Sequence, residues 1–495
     1  MSFGIAAGRY GEIGVDVDLA IAQCLAVPVS IHCWQADDVK GFEGNAGLAS
    51  GGIVATGSYP GCARNGDELR QDYEKVFSLV PGIPRANLHA MYAEPQTKVE
   101  RDELLPEHFA RWIEWASAQG IGLDFNPTYF AHPMAADGFT LSHKDRATRG
   151  FWIRHGIACR HIAAAMSAKS AVRSPQSAIN NHWIPDGAKD SPADRWSPRE
   201  RLIESYNEIF KEPIDGCTDS VESKLFGLGS EDYVVGSFEF YSQYVLSSNR
   251  DRSTSRSPQA RKPASPISGG NVPAVEVGDL LLCLDMGHFH PTETIADKLS
   301  ALLQFQKKLL IHASRPIRWD SDHVTLFNDD LRAVFQELFR DPRSRQVVLT
   351  DALRPLVQGS AGSMGNVGGE AISESPPTLP ILPIPEGRKP VSPSPRAAIA
   401  LDFFDASINR IAAYVIGIRA VRKALLWSLL EPVATMQGLE REGKLGQKLA
   451  LMERLKIMPF GDVWDEACRR ADVPSEADWI KDVERYEYDI LSKRG

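Results

Sequence analysis

The stretch Leu280-Leu281-Leu282-Cys283-Leu284-Asp285-Met286-Gly287-His288-Phe289-His290 changes from apolar to polar within a few residues. Its first half has the length and composition of a buried strand, and Gly287 marks a turn directly after it. The carboxylate of Asp285 and the imidazole of His288 stand at this turn, where burial without partners would cost several kcal/mol. We interpret the stretch as a buried strand that ends in a functional site, with internally satisfied core groups as the alternative.

Short apolar runs of this kind recur along the chain, and a longer amphipathic segment follows most of them. This alternation is typical of a parallel sheet with crossover helices. The eight runs are Pro28–Cys33, Ala86–Met91, Gly122–Asn126, Ser177–Ile184, Thr218–Phe226, Leu280–Met286, Leu309–Ser314 and Ala398–Phe403. The amphipathic segments are Asp67–Leu79, Glu107–Ala118, Arg146–Ala168, Arg199–Phe210, Thr294–Phe305 and Asp330–Phe339. Eight such units predict an α/β fold, a closed (β/α)8 TIM barrel with catalytic residues at the C-terminal ends of its strands.

The predicted barrel domain spans residues 1–406, and residues 407–495 form a predicted α-helical C-terminal extension. The spacing of Leu, Ile and Ala at the start of this extension indicates a helix, and we expect the extension to support oligomerisation. Two segments of the barrel domain, about 249–277 and 358–396, are rich in Ser, Gly and Pro, which predicts disordered loop insertions. The first segment is rich in Arg and Ser, so RNA binding or phosphorylation is an alternative function for it. Another alternative is that both segments are translated intervening sequence that the working protein lacks.

Composition limits the class of partner. The net charge of -9 disfavours nucleic-acid binding, because phosphate neutralisation requires an excess of Lys and Arg. The seven cysteines are scattered without a CxxC pair, which indicates reduced cytoplasmic thiols. No apolar run approaches the roughly 18 residues of a membrane span, and the N-terminus lacks the pattern of a signal peptide. We therefore expect a cytoplasmic protein that acts on a small polar substrate, without a nucleic-acid or membrane partner.

Carboxylates or imidazoles stand at or near the C-terminal ends of the last four apolar runs. Asp320 and Asp322 stand two positions apart just past the seventh run, where an extended backbone would direct both at one point; a solvated acidic pair is the alternative. Glu222 and Lys224 share a face of the fifth run, with a buried ion pair as the alternative. Hard divalent cations prefer oxygen ligands, and this number of groups suits two ions better than one. The predicted metal ligands are Glu222, Asp285, His288, His312, Asp320, Asp322 and Asp402.

Long motifs in a fixed order extend over nearly the whole chain outside the two low-complexity segments. They are HCWQADDVKGFE from His32, ATGSYPG from Ala55, NLHAMY from Asn87, GLDFNPTYFAHPMAADGFTLSH from Gly122, WIPDGAKD from Trp183, VESKLFG from Val221, LDMGHFHPTE from Leu284, SRPIRWDSDHV from Ser314 and LDFFDASINRIAAYVIG from Leu401. In these motifs the sequence resembles the L-rhamnose isomerase family. The resemblance implies a cytoplasmic homotetramer that converts L-rhamnose to L-rhamnulose at the first step of rhamnose catabolism.

The resemblance also implies two divalent metal sites, usually supplied with Mn2+, with Zn, Co or Mg as other possible metals. One ion would be held by Glu222, Asp285, His312 and Asp402. The other would be held by His288, Asp320 and Asp322, with Asp285 bridging. By analogy with related sugar isomerases, one hydrogen would move between C1 and C2 as a hydride, while the second ion and its water handle the proton between O1 and O2.

Six residues are the candidates for catalysis and substrate binding. Lys224 would stabilise negative charge on O1. Asp322 is a predicted ligand of the ion that handles the proton, and His89 would assist ring opening. The candidates for walls around the sugar are Trp34, Trp183 and Trp319, with ordinary barrel packing as the alternative. Other functions left open are isomerisation of another aldose, a metal-dependent phosphoesterase, which the acidic composition disfavours, and a non-catalytic scaffold, which the complete ligand set disfavours.

Overall fold

The structure, a computed structural model, describes residues 2–32, 39, 42–43, 57–168, 177–224, 231–256, 279–290, 292–317, 322–345, 396–403 and 405–494, with the backbone alone at 252–256. Eight parallel strands form a closed barrel in which neighbours follow chain order, and β1 pairs with β8 to complete it. The strands are β1 (Val29–His32), β2 (Pro84–His89), β3 (Gly122–Asn126), β4 (Ala178–His182), β5 (Cys217–Glu222), β6 (Leu281–Asp285), β7 (Leu309–Ala313) and β8 (Ala397–Leu401). Each predicted apolar run overlaps one of them, with ends that differ by a few residues, so the predicted (β/α)8 barrel is confirmed.

The helices surround the barrel and continue beyond it. They are α1 (Phe3–Gly11), α2 (Val17–Ala26), α3 (Gly66–Phe77), α4 (Ala110–Gln119), α5 (Arg146–Ala168), α6 (Ser197–Ile209), α7 (Phe238–Arg256), α8 (Ala296–Leu302), α9 (Asp329–Arg340), α10 (Pro342–Arg345), α11 (Arg410–Leu429), α12 (Val433–Arg441), α13 (Leu445–Lys456), α14 (Phe460–Arg470) and α15 (Trp479–Asp489). Single 3-10 turns lie at Ala90–Tyr92, Arg101–Glu103, Pro106–Phe109, Pro133–Ala135 and Leu491–Lys493. A two-stranded antiparallel pair, Gly187–Ala188 with Tyr233–Val234, stands outside the barrel.

Local sequence explains where several of these helices begin and end. The side chain of Asn65 accepts a hydrogen bond from the Glu68 amide at the start of α3, and Asn328 does the same for Leu331 at the start of α9. Helix α4 ends at Gly120, whose φ of 66° is the left-handed conformation that glycine adopts without a steric cost. These caps keep the helices short enough to return the chain to the next strand.

Two apolar clusters stabilise the barrel. The large one fills the space between the strands and the surrounding helices. The small one consists of Cys283, Leu310, Ala398 and Ala400. Cys283, Leu310 and Ala400 each stand two positions before a polar residue, namely Asp285, His312 and Asp402. Residues two apart on a strand lie on the same face, so each apolar residue shares a face with its polar counterpart. The apolar filling therefore ends where the polar groups begin, at the C-terminal rim of the barrel.

All six predicted helical segments are present, with ends that differ by a few residues. The first predicted insertion, 249–277, begins with helix and not with a disordered loop, because α7 continues through Asn249 to Arg256. Its remainder, and nearly all of the second segment, lie outside the described residues. Helix α11 packs on α9, α2 and α3, so the first helix of the predicted extension also covers the barrel, and the boundary at 406/407 stays a prediction. None of the described helices combines the length and apolar character that a membrane span requires.

Candidate metal centre

The C-terminal ends of four neighbouring strands bring four acidic or imidazole side chains together. Glu222 is the last residue of β5, Asp285 is the last of β6, and Asp402 directly follows β8. His312 lies on β7 in register with Asp285 on one side and with Ala400 on the other. Parallel strands end at the same rim, so residues distant in sequence meet there. All four side chains are buried.

A first group consists of Glu222, Asp285, His312 and Asp402, with ligand atoms that all lie within 4.8 Å of one another. Nδ1 of His312 is at its centre. It is 3.0 Å from Oδ2 of Asp402, 3.4 Å from Oε2 of Glu222 and 3.6 Å from Oδ2 of Asp285. Three carboxylates and one imidazole around one point form a donor set that suits a divalent cation.

A second group consists of Asp285, His288 and Asp322, again within 4.8 Å of one another. Nε2 of His288 is 3.4 Å from Oδ2 of Asp322. Nδ1 of the same ring is 3.0 Å from the carbonyl oxygen of Ser223, which can only accept a hydrogen bond. Nδ1 therefore carries the proton, and the lone pair of Nε2 faces the group, as in histidines that bind metals. Asp285 belongs to both groups.

Several buried polar atoms of the two groups have no hydrogen-bond partner in the described part of the chain. They are Oε1 of Glu222, Oδ2 of Asp285, Oδ1 of Asp322 and both ring nitrogens of His312. Oε1 of Glu222 has only an ion-pair contact, with Nδ1 of His288 at 3.1 Å, and Nδ1 of His312 has only the ion-pair contacts with the three carboxylates given above. Burial of an unpaired polar atom costs roughly 1–3 kcal/mol. Five such atoms on converging side chains are unfavourable in a purely structural core. The donor set therefore fits divalent cations, which would satisfy these atoms.

The electrostatics of the two groups agree with this fit. Burial raises the pKa of the Asp285 carboxyl to about 7, and the neighbouring Asp322 adds to this effect. Burial opposes a charge on His312, but the acidic groups around it, Cys283 and Glu222 first, hold its pKa well above the usual value. The same negative field favours any cation that lies between these carboxylates.

Further polar groups orient the carboxylates. Oδ1 of Asp285 accepts hydrogen bonds from the amide of Gly287 and from Oγ of Ser314, at 2.5 and 2.8 Å, which turns Oδ2 toward His312. Nδ2 of Asn181 on β4 donates to Oε2 of Glu222. Ser314 and Asn181 were not among the predicted site residues, although both stand at a strand end, the position that marked the ligands themselves.

A pocket lies beside the two groups, and it is lined by His89, Asn126, Pro127, Phe130, Trp183, Glu222, Lys224, His288, Asp322 and Asp402. Nζ of Lys224 is 4.8 Å from the ring centroid of Trp183 and 3.4 Å from Nε2 of His288. The fifth strand ends at Glu222, so Lys224 lies past the strand and not on it as the apolar run predicted.

Two donors in this pocket have no partner among the described residues, Nε1 of Trp183 and Nδ1 of His89. Nε2 of His89 faces the amide nitrogen of Asn126 at 3.4 Å and therefore accepts, which leaves the proton on Nδ1. Burial lowers the pKa of His89 to about 3, so the ring is neutral near pH 7 and donates through Nδ1. His89 and Trp183 both line the pocket, and a polar ligand there would supply the acceptors that these two donors lack.

The predicted site residues that the structure describes converge on this rim. Every predicted ligand except Asp320 belongs to one of the two groups, and Lys224, His89 and Trp183 line the adjoining pocket. Asp320, Trp34 and Trp319 lie outside the described residues, so their places in the site stay predictions.

The family model of the L-rhamnose isomerases (RhaA) matches residues 1–254, 274–351 and 394–494. The chain belongs to the L-rhamnose isomerase family. An L-rhamnose isomerase of Rhodopirellula baltica is 45% identical over 495 residues, which cover 100% of this chain and 96% of that protein. One of Escherichia coli is 44% identical over 493 residues, covering 99% of this chain and 98% of that protein.

Among solved structures, D-psicose 3-epimerase with D-tagatose from Clostridium cellulolyticum H10 is similar at 12% identity and a TM-score of 0.35, over 73% of this chain and 93% of that one.

Membership in the L-rhamnose isomerase family identifies the chain as an enzyme, a sugar isomerase of rhamnose metabolism. The family model passes over residues 255–273 and 352–393, which overlap the two segments predicted to be insertions.

Proposed function

We propose that this member of the L-rhamnose isomerase family converts L-rhamnose to L-rhamnulose, and that two divalent metal ions bind at the rim described above. The observation that supports this most is a carboxylate shared by two converging ligand groups, Asp285, beside a pocket with unpartnered donors. Glu222, Asp285, His312 and Asp402 would hold one ion. His288, Asp322 and Asp285 would hold the other, together with Asp320.

The reaction moves one hydrogen and one proton within the sugar. The hydrogen on C2 passes to C1 with both bonding electrons, and the proton of the O2 hydroxyl passes to O1. When bound, the ions would polarise neighbouring sugar oxygens and so stabilise the charge that develops on them. Oδ1 of Asp322, which lines the pocket and has no partner among the described residues, is our candidate to take the proton from O2 and return it at O1.

Three other side chains have roles that follow from their positions in the pocket. The ammonium group of Lys224 would stabilise negative charge on O1. His89, neutral because of its burial, would donate a hydrogen bond through Nδ1 to the ring oxygen during opening. The face of Trp183 would form an apolar wall for the C6 methyl group, while its Nε1 donates to a hydroxyl. Apolar walls with few well-placed polar groups are typical of sugar and drug-sized sites.

The decisive experiment measures ketose formation from L-rhamnose by chelator-treated protein, with and without added Mn2+. We expect activity that depends on the metal. Asp402→Asn should reduce it at least about 100-fold, since a ligand carboxylate is lost. Asp405→Asn, three residues on and bonded to Ser407, is the matched control and should retain activity. Metal-independent turnover would contradict the mechanism. A faster rate on another aldose would show that this aldose, and not L-rhamnose, is the preferred substrate.

The same proposal includes the cytoplasm as location, Mn2+ as the usual metal and a homotetramer as the assembly. The described cysteines are all free, as a reducing compartment requires. Leu445 and Leu449 on α13, with Ile457 just after it, are large exposed apolar side chains that subunit contacts would cover. Light scattering of the purified protein measures the assembly, and a monomer would contradict this part of the proposal.

A further inference from the structure

A buried arginine organises the loop that forms one wall of the pocket. Arg101 is 3% exposed and lies in the 3-10 turn Arg101–Glu103. Its Nη1 donates to the carbonyl oxygens of Thr128, at 2.7 Å, and Phe130, and its Nη2 donates to that of Ala131 at 3.1 Å. We call residues 127–131, which follow β3, the β3 loop. One guanidinium group thus holds three of its five carbonyls.

A histidine fixes the same loop from the other side. Nδ1 of His155 donates to the carbonyl oxygen of Arg101 at 2.8 Å, and Nε2 accepts from the amide of Thr128 at 3.1 Å. Ala131, at the end of the loop, has a φ of 51°, a left-handed conformation that is unfavourable for a residue with a Cβ atom. Such a conformation persists only where surrounding contacts determine it, and here Arg101 binds the carbonyl of Ala131 itself.

The β3 loop presents Phe130 to the pocket. The ring of Phe130 meets that of Trp183 edge to face at 5.5 Å and that of His89 at 6.0 Å. It therefore touches both residues that we assign to the sugar. A displacement of the loop would move this wall relative to C6 while leaving the metal ligands on β5 to β8 in place.

The charge of Arg101 is balanced by Glu43. Oε1 of Glu43 is 3.0 Å from Nε, and Oε2 is 2.7 Å from Nη2, a bidentate pair. Phe42 beside it packs edge to face on Tyr92 at 4.7 Å. Burial of a guanidinium group requires such a partner, because an unpaired buried charge is strongly unfavourable. Without the carboxylate, Arg101 would gain by turning toward water and releasing the β3 loop.

We propose that Glu43 and Arg101 are positioning residues for substrate selectivity, which act through the β3 loop and Phe130. The inference rests on the proposed function, since it concerns how that pocket distinguishes a 6-deoxy sugar. Among the described residues, the hydrogen bonds of the pair join Glu43 to Arg101 and Arg101 to the β3 loop and His155, and none joins either residue to a metal ligand. It should therefore change KM and selectivity more than kcat, and it should leave metal binding unchanged.

The test compares Glu43→Gln and Glu43→Asp in the full-length, metal-loaded protein, with L-rhamnose and with L-mannose, which carries a hydroxyl on C6. We expect Glu43→Gln to raise KM for L-rhamnose roughly tenfold, since small displacements in a site have effects of this size. Its preference for L-rhamnose over L-mannose should fall, its kcat should change less than about threefold, and Glu43→Asp should recover part of the loss. Arg154→Gln is the matched control. It removes an ion pair between the exposed Arg154 and Asp102, which is next to Arg101 in sequence, and leaves the pair of Glu43 and Arg101 intact.

A second measurement does not depend on catalysis. Hydrogen exchange of peptides that contain residues 127–131 should be faster in Glu43→Gln than in the wild type, and unchanged in Arg154→Gln. If exchange and KM are both unchanged, or if metal is lost together with kcat, the inference is wrong. If the wild type does not act on L-rhamnose but exchange in the β3 loop responds as expected, the proposed function fails while the positioning of the loop stands.

Discussion

Oδ2 of Asp285 lies 3.6 Å from Nδ1 of His312, and the two residues are paired in register on adjacent strands β6 and β7. Oδ1 of the same carboxylate is held by Gly287 and Ser314. The register and these two hydrogen bonds leave Oδ2 directed at the place where both ligand groups meet. Both ligand groups therefore depend on Asp285.

Substitution of the shared carboxylate should affect both metal sites. We expect Asp285→Asn to bind neither ion tightly, whereas Asp322→Asn should lose one and Asp402→Asn the other. Elemental analysis of dialysed protein gives the number of ions per chain. If Asp285→Asn retained as much metal as Asp322→Asn, the two groups would not share this residue.

The barrel and most of the site could be predicted from the sequence because parallel strands are buried on both faces. Such strands appear as apolar runs, so a single Asp or His at the end of a run stands out, as Asp285 and Asp402 do. Asn181 and Ser314 could not be found in this way. Their partners, Glu222 and Asp285, are 41 and 29 positions away, and only the closed barrel brings each pair together.

The missed helices have a different cause. Helix α1 contains Gly4, Gly8 and Gly11, which disfavour a helix on local propensity, and its packing against α14 compensates. Helix α7 extends into a segment with the composition of a loop. Asn249 bonds both the amide and the carbonyl of Leu280 next to β6, a contact between distant parts of the chain that local composition does not reveal.

Removal of metal should lower the stability of the fold. Glu222, Asp285, Asp322 and Asp402 are buried within a small volume, and bound cations would offset the repulsion between them. A ligand at 100 times its Kd stabilises the folded state by about 2.7 kcal/mol. Chelation should therefore lower the thermal midpoint, and added Mn2+ should raise it again, roughly with the logarithm of the Mn2+ concentration above Kd. Equal midpoints with and without the chelator would contradict the assignment of these residues as ligands.

Lys224 should matter for the rate and not for metal binding. Its ammonium group lies in the pocket, 4.8 Å from the ring centroid of Trp183 and 3.4 Å from Nε2 of His288. We expect Lys224→Met to lower kcat by about 10²-fold, the size of effect seen when one stabilising donor is removed. Metal content should stay at the wild-type value, and Lys224→Arg should recover part of the rate. Loss of metal in Lys224→Met would show a structural role instead.

His155 should make the stability of the protein depend on pH between about 3 and 6.5. Burial lowers the pKa of this imidazole from its usual 6.5 to about 3 in the folded state. Below 6.5 the unfolded chain binds a proton that the folded protein excludes, so the free energy of unfolding decreases as pH falls through this range, by up to about 1.4 kcal/mol per unit. Above 6.5 the ring is neutral in both states and contributes no slope.

His155→Gln removes this titration while retaining part of the hydrogen bonding to Arg101 and Thr128. The variant should be less stable than the wild type at pH 7.5 by about 1–3 kcal/mol, because at least one buried partner loses its bond. The difference should shrink as the pH is lowered to 5, since only the wild type loses stability through His155. Urea unfolding at pH 7.5, 6 and 5 measures it, with His161→Gln on the exposed side of α5 as the control. A constant difference across these pH values would mean that His155 has the same pKa in the folded and the unfolded protein, and would contradict this prediction.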